Sequence, residues 1–155
     1  MGNVFWLLDG NPDLNTRDEI KSGCMSASIG STPNYDVGSR TGQVQQGVNY
    51  LVNQDPGATW NQSTREVEGS SYADWTKSPR VIIIGLVDPK YWIADSRNST
   101  PDPGSEFTNF ARMFLLGTGQ QGPPDNIQAI FLGTAPGGDP GPTGGTLVKV
   151  LQLIQ

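Results

Sequence analysis

The chain contains no histidine and one cysteine, Cys24. Those two gaps remove much familiar site chemistry. An intrachain disulfide needs two thiols, and a zinc centre of the usual kind draws on His and Cys ligands. A thiol nucleophile would lack its customary base, so Cys24 reads as a small buried residue. Charge is scarce as well: 16% of residues are charged, against about a quarter in an average protein. The 10 Lys and Arg are scattered singly in a chain of net charge -5, so there is no basic stripe to neutralise phosphates, and nucleic acid is not an expected partner. Long apolar runs are missing too. "RVIIIGLV" and "MFLLG" fall far short of the roughly 20 residues that cross a bilayer, and no secretory signal opens the sequence. Any export or membrane segment is expected outside these residues.

What is abundant is turn chemistry. The 20 Gly and 12 Pro make up about a fifth of 155 residues, which favours short strands joined by many turns over long helices. The length fits one domain, residues 1–155, with a real core. The expected class is α+β: a small mixed sheet or partly closed barrel with about two short helices.

The apolar spacing locates the elements. "VFWLL" reads as a buried strand, and "CMSASIG" can be another. Val44, Val48, Leu51 and Val52 form the stripe of an amphipathic helix that ends at "NQDPG". Residues 58–78 show no period and suggest a long loop or a hairpin. "SPRVIIIGLVDP" is the best strand, β-branched, bracketed by Pro79 and Pro89, continuous enough in apolarity for burial on both faces, and expected at the centre of the sheet. "SEFTNFARMFLLG" places Phe107, Phe110, Ala111, Phe114 and Leu115 on one helical face, with Ser105 as cap and Gly117 as stop. "NIQAIFLGT" and "TLVKVLQLIQ" read as strands separated by a Gly/Pro-rich loop.

Three constellations invite functional readings. In "DGNPDLNTRDE", Asp9, Asn11, Asp13 and Asn15 put an oxygen-bearing side chain at every second position, as a calcium loop does. The helix-loop-helix form of that loop wants Gly at its sixth position and Glu at its twelfth; Leu14 and Ile20 stand there. The preferred reading is two turn dipeptides, Asp9-Gly10 and Asn11-Pro12. Asn15 or Thr16 then caps a helix around Thr16 to Ser22, with Asp18 and Glu19 in its first turn and Gly23 as its stop. Asp9, Asn11 and Asp13 remain the candidates for metal; no metal or cofactor is expected. Gly38 and Gly42 resemble a phosphate loop only until the Lys-Ser/Thr pair is sought and not found. Trp60, Trp75 and Trp92, set among Asn, Asp and Ser, could offer flat faces to a carbohydrate or a surface, or could cover the edge of the core.

Taken together, "GNVFWLLDG", "RDEIKSGC", "VGSRTGQVQQGVNYLVNQDP", "SPRVIIIGLVDP" and "FTNFARMFLL" resemble the C-terminal extracytoplasmic region of the Flp pilus-assembly proteins of TadE/TadG-like type. Gly38, Gly42, Gly47, Asp55, Pro56, Ser78, Pro79, Arg80, Asp88, Pro89, Asn109, Phe110, Ala111 and Phe114 stand at the positions of that signature. The resemblance implies a strand at "NFARMF", against the local helical pattern, and strand is the expectation adopted. It also implies a closing strand at the terminus. The functional expectation is a non-catalytic module in the periplasm or at the cell surface, with pilus-assembly or envelope proteins as partners. The membrane anchor of such a protein would lie in an N-terminal helix of a longer parent. The alternatives are a carbohydrate- or surface-binding module using the loop tryptophans and a hydrolase using Asp88 and Asp55.

Overall fold

The computed structural model describes residues 15–22, 28–32, 41–87, 106–118 and 127–135. Helix α1, Thr16–Ser22, begins at Asn15. The Asn15 side-chain oxygen accepts from the Asp18 N–H at 3.2 Å, and its amide donates to the Asp18 carboxylate at 2.8 Å, a reciprocal cap that satisfies donors of the first turn. Helix α2, Thr41–Asn53, buries Val44, Val48 and Leu51 along one face, as their spacing requires. Its last turn tightens through Gln54 and Asp55 N–H groups that donate to Leu51 and Val52, and Pro56 cannot extend it. The two helices meet where Gly47 lies against Ile20. A methyl group at Gly47 would come within 2.7 Å of the Ile20 side chain, so glycine sets the approach of the helices.

Strands β1, Thr59–Asn61, and β2, Glu66–Glu68, form an antiparallel hairpin. Strands β3, Val81–Val87, β4, Phe107–Thr118, and β5, Ile127–Ala135, form an antiparallel sheet in the order β3-β4-β5. The α+β class and the pair of helices are as expected. Every pairing among the described residues is antiparallel, and the sheets do not close into a barrel.

Among the described residues β3 pairs with β4, and β4 lies between β3 and β5 in the described sheet. The burial of β3 is uneven: Ile82 and Ile84 are buried, whereas Val81, Ile83 and Leu86 are half-buried. A run of apolar residues therefore overstated how evenly its two faces are covered.

Three layers result. Ile82, Ile84, Ala111 and Leu115 face the helices, where they join Val44, Val48, Leu51 and Ile20 in one core. On the opposite face Phe114 packs with Ala58 and Val67 of the hairpin region, flanked by Trp60, Trp75, Val81, Ile130 and Leu132. This two-sided cover explains the deceptive pattern of β4. Alternation puts Ala111 and Leu115 on the helix side and Phe110 and Phe114 on the other, yet both sides are buried at those levels, so burial comes in adjacent pairs. Pairs four residues apart imitate a helical stripe. The segment is a strand, as the family resemblance implies.

Residues 4–8, 23–27, 136–145 and 146–155 lie outside the described residues, and with them the expectations for "VFWLL", for the Gly23 stop and for "TLVKVLQLIQ". Of "CMSASIG", Ser28, Ile29 and Gly30 belong to a turn rather than a strand. The Gly30 N–H donates to the Phe107 carbonyl at 2.8 Å.

Candidate functional site

The strongest polar constellation among the described residues gathers where the layers meet. Asp55 follows α2 and is completely buried. Its carboxylate accepts from Ser70 Oγ at 2.6 Å, Ser78 Oγ at 2.7 Å, the Ser71 N–H at 2.9 Å and Ser71 Oγ at 3.0 Å. Burial pushes its carboxyl up, but the hydrogen bonds from Ser70, Ser71 and Ser78 together outweigh that and hold it at about 2. Asp55 is therefore an anion with its acceptor positions taken by the protein.

Arg80, 5% exposed, completes the cluster. Its guanidinium turns to main-chain carbonyls: Nη1 donates to Ala58 at 2.6 Å and Asp55 at 3.0 Å, Nε to Leu115 at 2.9 Å, and Nη2 to Leu116 at a long 3.4 Å. The guanidinium carbon also lies 4.7 Å from the centroid of the Phe114 ring. β3 begins at Val81, while β4 runs on to Thr118, and the Arg80 N–H, which a longer strand would have aimed at Leu115, donates instead to Ser78 Oγ at 3.3 Å. Leu115 donates its N–H to the Arg80 carbonyl at 2.8 Å. The Arg80 side chain then serves the Leu115 carbonyl that a longer strand would have served. Burial lowers the affinity of Arg80 for its proton, and the charge of Asp55 offsets part of that.

The cluster ties the end of α2, the base of the hairpin, the turn before β3 and the middle strand into one unit. Below it, Gly57 and Gly69 bring main chain against main chain: a methyl group at Gly57 would sit 2.8 Å from the Gly69 carbonyl oxygen. Gly69 has φ +71°, which suits glycine. What this arrangement does chemically is hold layers together. Asp55 has no exposed surface, so a substrate cannot touch its carboxylate in this conformation.

The tryptophans of the sequence reading are brought together in part. Trp60 and Trp75 are both half-buried and pack on the same cluster around Phe114. The Trp60 indole N–H donates to Gln62 Oε1 at 3.0 Å. Trp75 opens a one-turn 3₁₀ helix, Trp75–Lys77, capped by Asp74, whose Oδ1 accepts from the Thr76 N–H at 3.1 Å. Both rings thus cover the edge of the core while keeping part of their surface in solvent. Trp92, Asp88 and the metal candidates Asp9, Asn11 and Asp13 lie outside the described residues. Among the described residues no group of three or more Asp, Glu, Cys or His is placed to hold a metal ion, and no helix is long and apolar enough to cross a membrane.

Sequence reasoning named Asp55, Ser78 and Arg80 but missed Ser70 and Ser71. They sit in a stretch without period, and their role depends on a contact made 15 and 16 residues away. The sequence also gave no sign that Phe131 would stand 59% exposed on β5. Comparison of the chain with protein-family models, with curated proteins and with solved structures found no match.

Proposed function

We propose that this chain is a non-catalytic, extracytoplasmic module of a Flp/Tad-type pilus or secretion apparatus that acts through protein or surface contacts. The observation that carries the reading is the use made of Asp55, Ser78 and Arg80. These signature residues are engaged in joining the helix layer, the sheet and the hairpin, which suits a family whose common feature is a scaffold rather than a reaction centre. The motifs that resemble the TadE/TadG-like proteins supply the identity of the apparatus. The partners are then pilus-assembly or envelope proteins met in the periplasm or at the cell surface, and the membrane anchor belongs to a longer parent.

The test is copurification of the tagged parent protein from cells assembling Flp pili, repeated with Trp75→Ala and Trp92→Ala. Recovery of pilus components that falls in the variants supports the contact reading. Hydrolysis of a glycan or peptide library by the isolated protein, abolished in Asp88→Asn, would overturn it.

A second reading draws on the half-exposed Trp60 and Trp75, which share one face of the sheet. Flat apolar rings beside Asn61, Gln62 and Asp74 suit a carbohydrate. Binding to a glycan array that is lost in Trp60→Ala and Trp75→Ala, without any pilus component copurifying, would favour this module over the first.

A further inference from the structure

We draw no further inference here: the strongest candidate, the outer edge of β5 with Phe131 exposed beside it, is an unpartnered apolar face among the described residues, and nothing in the structure shows what covers it.

Discussion

Ser78 donates to the Asp55 carboxylate at 2.7 Å across 23 positions of the chain, and both residues are buried, 2% and 0% exposed. This one bond closes the turn before β3 onto the end of α2. Removing the acceptor strands several donors at once, so Asp55→Ala is expected to cost about 3–5 kcal/mol. Ser78→Ala, which removes one donor, is expected to cost about 1–2 kcal/mol. Urea denaturation of the two variants measures the difference. Equal, small losses would show that the cluster is not what joins the layers.

The same carboxylate sets an acid limit. Its folded value of about 2 lies below the ordinary 3.8, so its stabilisation is fully present above pH 4 and is lost as pH falls from 4 to 2. The amount is about 2 kcal/mol. Asp18 is also held at about 2, chiefly by the Arg17 hydrogen bond. That side chain is about one-third exposed, and its interactions at the surface are screened by salt. Unfolding midpoints of wild type and Asp55→Asn between pH 2 and 6 in high salt isolate the buried term. The gap between the two proteins should narrow below pH 4, and a constant gap would contradict the assignment.

Two glycines of one helix separate packing from propensity. Gly47→Ala drives a methyl into Ile20 and is expected to destabilise by about 1–3 kcal/mol. Gly42→Ala meets nothing within 4 Å and should leave stability unchanged or raise it by a few tenths of a kcal/mol. Thermal melts of both variants give the answer.

The faces of β3 can be told apart in the same way. Ile84 is 3% exposed and looks into the helix layer. An aspartate there would be buried without a partner, at a cost of about 4 kcal/mol or more. Ile83 is half-buried and lies opposite Arg112 in the β3–β4 register. Cross-strand neighbours share a face, so the new carboxylate of Ile83→Asp gains a cation, and the loss should be about 1–2 kcal/mol. Comparable unfolding midpoints for the two variants would refute the assignment of faces.

Calcium supplies a further check. With "DGNPDLNTRDE" acting as turn and cap, neither Ca²⁺ nor EDTA should move the melting temperature, since only a ligand bound to the native state shifts it by mass action. A saturable rise that disappears in Asp9→Ala and Asp13→Ala would establish a metal loop.

How much of this was readable beforehand depends on the range of the interaction. Both helices were legible because their signals are local. The cap at Asn15 and the stripe of Val44, Val48 and Leu51 lie within a few residues of the structure they specify. β4 was not legible from its own pattern, because the adjacent buried pair at 114–115 needs the knowledge that helices cover one face and the hairpin the other, and the pair at 110–111 that Phe107 packs beside Phe110. The place of β3 beside β4 in the described sheet is likewise a matter of pairing, which a run of β-branched residues does not encode. The Asp55 cluster combines both cases. Its residues were visible as short motifs, but their convergence depends on chain separations of 15 to 36 residues.

The Gly57–Gly69 contact has a practical corollary for anyone labelling this chain. Main-chain proximity fixes the hairpin at its root, while Asn61 holds the tip by accepting from the Ser63 N–H at 2.8 Å and, through its carbonyl, from the Arg65 N–H at 2.8 Å. Residues Gln62, Ser63, Thr64 and Arg65 are exposed and take no part in either apolar cluster. An epitope or fluorophore grafted between Ser63 and Thr64 would open the Asn61 turn and bear on the Gln62 partner of Trp60, while the main-chain contact of Gly57 and Gly69 at the root lies outside the insertion.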